Sequence, residues 1–160
     1  MATVNKNLSS FNSDTIPAAD DLSIGLVVSE WNDEITENLF KGAQETLLAC
    51  GVGPENIIRW NVPGSFELAH GCKKMIISNK VDALIAIGSV IRGETSHFDY
   101  VCGATAQGIM QLNLTHDVPI IFCVLTDDTI QQSRDRSGGK HGNKGVEAAI
   151  AAIKMAKLGQ

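Results

Sequence analysis

From Ser23 onward, short apolar runs rich in β-branched residues alternate with longer segments in which apolar residues recur every third or fourth position. The runs 24–29 (IGLVVS), 57–62 (IIRWNV), 83–89 (ALIAIGS) and 119–125 (PIIFCVL) predict four strands. Three of them are apolar nearly throughout, as strands covered on both faces must be. Between them the spacing predicts helices. Ile35, Leu39, Ala43 and Leu47 make one stripe, and Leu68, Cys72 and Met75, with Ala69 and Ile76, make a second. A third helix is expected after Gly93, with Thr95 or Ser96 as N-cap, running to about Leu114. A short helix near 127–134 and a last one from about Asn143 to Leu158 complete the set. This alternation predicts an α/β fold, a parallel four-stranded sheet with right-handed crossovers and helices on both faces.

The last helix carries two apolar stripes, Val146, Ile150 and Ile153 on one side and Ala148, Ala151, Ala152 and Met155 on another. A four-stranded monomer has difficulty covering both, which points to a partner subunit; Ala-rich faces are also simply good helix formers. Residues 1–22 are rich in Ser, Asn, Asp and Ala without sustained period and read as a flexible arm ahead of one domain over 23–160.

The 160 residues, 44% apolar and 19% charged, suit one compact domain that needs neither disulfides nor metals. Cys50, Cys72, Cys102 and Cys123 sit in apolar sequence without metal or redox spacing and read as four buried thiols. A formal charge of −5 and a pI near 5.3 argue against a nucleic-acid surface. The absence of a signal-like or spanning apolar run argues against a membrane and for the cytoplasm.

In an open parallel sheet, ligands bind beyond the carboxyl ends of the strands. After the first strand come Glu30, Trp31 and Asn32, with a large aromatic where nothing structural demands it; after the second come Ser65, Phe66 and Glu67 at a helix start. The third leads from Ser89, Val90 and Ile91 into Gly93, Glu94, Thr95, Ser96 and His97. Glycine and hydroxyl residues at a helix N-terminus form a ready anion site, and phosphate is its natural guest. His97 in the first turn is placed to exchange protons with that guest. An ordinary capped helix with a solvated histidine fits the same residues.

The segment 134–145 (RDRSGGKHGNKG) is basic and glycine-rich. Arg136 could hold a phosphate in a bidentate way, and Lys144 is a cation at a helix N-terminus, unfavourable unless an anion compensates. A solvated basic loop remains equally open. Trp31, Phe66, Phe98 and Phe122 fall at or near one sheet edge, where they could stack a flat heterocycle or merely plug the sheet end.

Four segments, VPGSFELAHG (62–71), GSVIRGETSHFDYV (88–101), PIIFCVLT (119–126) and RSGGKHGNKGVEAA (136–149), stand in order between Gly25 and Met155. In that order they resemble the 6,7-dimethyl-8-ribityllumazine synthase family of riboflavin biosynthesis. The resemblance implies a flavodoxin-like three-layer α/β/α sandwich and a transferase without cofactor or metal. Its reaction would condense 5-amino-6-(D-ribitylamino)uracil with 3,4-dihydroxy-2-butanone 4-phosphate, releasing phosphate and water.

The resemblance also implies roles. Trp31 would stack on the pyrimidine, and Ser65, Phe66 and Glu67 would hold the ribityl chain. Ser89, Val90 and Ile91 would meet the uracil through backbone groups, Glu94 and Thr95 would cradle the phosphate with Arg136, and His97 would be the general acid/base. Phe122, Arg136 and Lys144 would come from the adjacent subunit of a pentamer, standing alone or within a 60-subunit shell, and riboflavin synthase would be a partner. Trp31 stands where Phe is common in the family, Ser96 where Pro is common, and the 136–144 loop is short, which favours the shell. A lumazine or flavin carrier and a shell protein are the competing readings; retained His97, Arg136 and Lys144 weigh against the carrier.

Overall fold

In the computed structural model, described over Ser9 and residues 15–159, a four-stranded parallel sheet runs through the middle of the chain. Its strands are β1 (Ile24–Ser29), β2 (Ile57–Val62), β3 (Ala83–Ile91) and β4 (Ile120–Asp127), in spatial order β2-β1-β3-β4. The helices are α1 (Asp33–Ala49), α2 (Leu68–Ser78), α3 (His97–Thr115), α4 (Ile130–Arg136) and α5 (Lys144–Ala156). A two-stranded antiparallel ribbon, β5 (Ser137–Gly139) and β6 (Gly142–Asn143), links the last two helices.

The sheet divides the core in two. On one side α1 and α5 bury Ile35, Leu39, Leu47, Ala149 and Ile153 against Leu26, Ile85 and Cys123; on the other α2 and α3 bury Leu68, Met75 and Ile109 against Val27, Leu84 and Val124. Every residue of β1 is buried, as is β3 through Ser89, because both faces are covered. The result is a flavodoxin-like α/β/α sandwich, and its strand order places the topological switch point between β1 and β3.

The four predicted strands are present, with the last two longer at their carboxyl ends than their composition indicates. Thr126 and Asp127 continue the ladder opposite Val90 and Ile91, although polar. Phe122 is a mid-strand residue opposite Ala86, not the sheet-end residue expected. The short helix begins at Ile130 and runs through Arg136, and its start is closed by a capping box between Thr129 and Gln132.

In α5 the buried residues are Gly145, Ala148, Ala149, Ala152 and Ile153, while Val146 and Ile150 are only half-buried. The small side chains lie inside because α5 presses close to α1: a Cβ at Gly145 would collide with the Leu39 carbonyl. Two of the four thiols, Cys72 and Cys123, are buried; Cys50 and Cys102 are half-buried, correcting the expectation of four interior thiols. Burial pushes both interior thiols up to about 12. The arm read over 1–22 lies largely outside the described residues, and within it Ala19 and Leu22 are buried in the core. No helix among the described residues is long and apolar enough to cross a membrane.

Candidate active site

A cavity of about 630 Å³ opens over the carboxyl ends of the strands at the switch point. Its walls come from the ends of β1 and β3, the turn after β2 and the start of α3. The chain leaves β1 with its pairing prolonged: the Glu30 N–H donates to the Val62 carbonyl at 2.8 Å and the Trp31 N–H to the Pro63 carbonyl at 3.2 Å. These bonds hold Trp31 at the rim, its ring 73% exposed.

Asn32 then takes the left-handed conformation, φ 61 and ψ 47, the one non-glycine residue with positive φ among those described. Asparagine tolerates that conformation better than most residues. Its Nδ2 donates to the Ser89 carbonyl at 2.8 Å and ties the first loop to the end of β3. Asn32 lines the cavity and was not singled out from the sequence. An asparagine three residues after a strand, immediately ahead of a helix, was the available signal.

After β2, Ser65–Glu67 forms a single 3-10 turn whose Ser65 carbonyl accepts from the Thr105 hydroxyl of α3 at 3.1 Å. Gly88 on β3 makes room for this turn, since a Cβ there would come 2.6 Å from the Ser65 Oγ. Phe66, 59% exposed, lines the same cavity as Trp31. The hydroxyls of Ser65 and Ser89 are buried without a hydrogen-bond partner, although both residues line the cavity. Buried polar groups are ordinarily paired, so two orphans in one cavity wall mark places where a ligand would complete the bonding.

On the far wall, the Thr95 Oγ1 accepts from the His97 N–H at 3.4 Å; Ser96 occupies the capping position without making a side-chain cap bond. His97 opens α3, and Phe98 behind it is buried beneath the Arg92 guanidinium, 4.1 Å from the ring centroid.

Of the sequence-predicted residues, Trp31, Ser65, Phe66, Glu67, Ser89, Val90, Ile91, Thr95 and His97 line this one cavity. Gly93, read as part of the anion site, and Phe98, read as a stacking ring, also line it, whereas Gly64 and Val101 in its walls were not predicted to contact ligand. Glu94 lies exposed in the turn beside it without lining it.

Phe122, Arg136 and Lys144 are elsewhere. Phe122 stands on β4, the edge strand, 36% exposed. Arg136 ends α4, donating from Nη2 to the Glu147 carboxylate at 2.7 Å and from Nη1 to the His141 carbonyl at 2.8 Å. Lys144 lies 3.5 Å from the other oxygen of Glu147. Glu147, one turn into α5, is therefore the anion that compensates a cation at the helix start, and it was missed because it lies outside the basic loop. Among the described residues no cluster of three or more metal-ligating side chains is present.

Residues 21–160 match the family model for 6,7-dimethyl-8-ribityllumazine synthase. The chain belongs to the 6,7-dimethyl-8-ribityllumazine synthase family. Proteins bearing that name are similar along nearly the whole chain. The one from Christiangramia forsetii is 63% identical, covering 99% of this chain and 95% of its own. The one from Flavobacterium johnsoniae is 63% identical over 100% and 84%, and the one from Porphyromonas gingivalis 53% identical over 99% and 98%.

Proposed function

We propose that the cavity is where this chain condenses 5-amino-6-(D-ribitylamino)uracil with 3,4-dihydroxy-2-butanone 4-phosphate to 6,7-dimethyl-8-ribityllumazine in riboflavin biosynthesis. The observation that carries this reading is the pair of rings, Trp31 and Phe66, left exposed in the walls of a cavity whose floor holds two unpaired hydroxyls. A flat heterocycle satisfies the rings, and its polar edge and ribityl chain satisfy Ser65, Ser89 and Glu67. Backbone groups of Ser89, Val90 and Ile91 line the uracil side. Glu94 and Thr95, mainly through main-chain N–H groups at the start of a 19-residue helix, cradle the phosphate.

Both substrates bring their own reactivity. The ring amine attacks the ketone, the carbinolamine loses water to an imine, phosphate departs, and ring closure with a second dehydration completes the lumazine. The protein aligns the two molecules and passes protons through His97, the general acid/base.

The phosphate's charge is met by Arg136, with Lys144 beside it and Phe122 against the ring, all from a neighbouring subunit. Three observations support a shared site. These residues lie off the cavity of their own chain; Tyr100, Met110 and Leu114 leave α3 with an exposed apolar face; and Met155 of α5 is also exposed. A pentamer supplies such a head-to-tail contact, and twelve pentamers close a shell. The enzyme works in the cytoplasm, and riboflavin synthase takes the product.

Mixing His97→Ala and Arg136→Ala chains during assembly tests this reading. If each site draws on two chains, about a quarter of random interfaces carry both intact halves, so the mixture regains activity that neither variant has alone. Activity no higher than the mean of the two variants means that a site lies within one chain.

A further inference from the structure

The turn that would seat the phosphate is not held by packing. Residues 92–97 are all exposed, and a Cβ placed on Gly93 would meet nothing. What fixes the turn is Arg92, the residue immediately after β3. Its N–H donates to the Asp127 carbonyl at 2.9 Å. Its Nε donates to Asp128 Oδ1 at 2.7 Å and its Nη1 to Asp99 Oδ1 at 3.2 Å, while the guanidinium plane lies over the buried Phe98 ring. Asp127 ends β4, Asp128 opens the loop toward α4, and Phe98 and Asp99 belong to the first turn of α3. The Asp127 carboxylate in turn accepts from the Ser133 hydroxyl of α4 at 2.7 Å.

These ion pairs are too exposed to be a large source of global stability: Arg92 is 43% exposed, Asp99 60% and Asp128 66%. Their geometry is nevertheless specific. A planar, forked cation meets two carboxylates from different loops and covers a ring adjacent to His97, an arrangement that a flexible ammonium cannot reproduce. We infer that Arg92 is a positioning residue: its guanidinium sets the 93–97 turn, and with it the phosphate seat and His97, against the ring-binding half of the cavity. The inference rests on the reading of that turn as the phosphate seat.

Steady-state kinetics of the full-length oligomer, varying each substrate in turn, test it. Arg92→Ala is expected to raise the KM for the phosphate-bearing substrate on the order of 10-fold to 10²-fold, as small displacements from productive geometry do. The KM for the ring substrate and the melting temperature stay at the parent values. Inorganic phosphate weakens in parallel as a competitive inhibitor.

Arg92→Lys keeps the charge and does not rescue, and Asp128→Asn, which removes one arm, gives a smaller rise in the same KM. An unchanged KM for the phosphate substrate, full rescue by lysine, or both KM values rising together with a lowered melting temperature overturns the inference. His97→Ala separates the two levels. If its turnover is normal, the site reading falls and the inference with it; if its turnover is slowed while Arg92→Ala has parent kinetics, only the positioning role falls.

Discussion

The cavity and the cation cluster belong to one chain but are built in opposite ways. The cavity is open and unsatisfied: two large rings stand exposed, and the hydroxyls of Ser65 and Ser89 lie buried without partners. The cluster is closed: Glu147 already binds both Arg136 and Lys144, and the three side chains are only 14–28% exposed. A region with unmet bonding is ready for a ligand. A region with its charges neutralised is arranged to keep two cations in place until something more strongly anionic arrives. The first is open to a ligand as it stands, and the second, on the function proposed above, would lend its charge to a neighbour's site.

The largest expected effect comes from breaking the cluster at its forked cation. Arg136→Ala should lower kcat/KM for the phosphate-bearing substrate by about 10³-fold, because a charge aimed at the leaving phosphate is lost. Equal rates for variant and parent at subsaturating phosphate substrate would falsify the assignment. On the cavity side, His97→Ala should slow single-turnover condensation by about 10²-fold without abolishing it. Orientation of two inherently reactive substrates persists without the imidazole. A complete loss of turnover in that variant would mean that proton transfer carries far more of the barrier than this chemistry demands.

Glu147→Gln probes the cluster from its anionic side. Arg136 at the end of α4 and Lys144 at the start of α5 would then share no carboxylate, and thermal unfolding should show a loss of roughly 1–3 kcal/mol. The opposite response is expected across the sheet. Ser65→Ala removes a hydroxyl that has no partner in the free protein, so stability should change by less than about 1 kcal/mol. The KM for the ring substrate should rise by roughly 3-fold to 10-fold, the worth of one hydrogen bond. A destabilised Ser65→Ala with an unaltered KM would reverse the comparison.

The sheet was legible in the sequence because β-branched runs and 3.6-residue stripes report burial directly, and the Ile35, Leu39, Ala43 and Leu47 face of α1 is buried as its spacing indicates. The face of α5 was not. Close approach to α1 selects small residues, so Ala148, Ala149 and Ala152 lie inside with Ile153, while Val146 and Ile150 are half outside. Side-chain size is a poor guide wherever backbone proximity decides. Most of the cavity was legible because the fold class tells where the ends of parallel strands converge. Phe122 was misplaced because an aromatic ring was taken as a mark of the sheet end, although the residue sits at the centre of its apolar run and pairs opposite Ala86; the polar Thr126 and Asp127 extend β4 through backbone pairing, to which composition is blind. Glu147 was missed because the partner of a basic loop lies on the following helix. Arg92 stood in a quoted motif, yet its partners Asp99 and Asp128 are separated from it by 7 and 36 positions.

The smallest effect concerns the two interior thiols, one beneath each region. Cys72 lies in the α2 and α3 layer behind the cavity, and Cys123 in the α1 and α5 layer behind the cluster. Both are pushed up to about 12 by burial, and at Cys123 the charges of Lys144 and Arg136 oppose that push without cancelling it. The protonated thiol is therefore the form the fold holds. Its contribution to stability is intact below the ordinary value of 9.0 and is lost as pH rises from there toward about 12. Near neutrality neither thiol should react with a maleimide while the chain is folded, and turnover should be unaffected by the reagent at those sites. Mass analysis of the labelled peptides reads this out. Glu147→Gln sharpens it, because removing the carboxylate leaves the two cations beside Cys123 uncompensated. The Cys123 thiol should then be held up less strongly, yet with no exposed surface it should still escape the reagent near neutrality, as Cys72 does, until the chain unfolds.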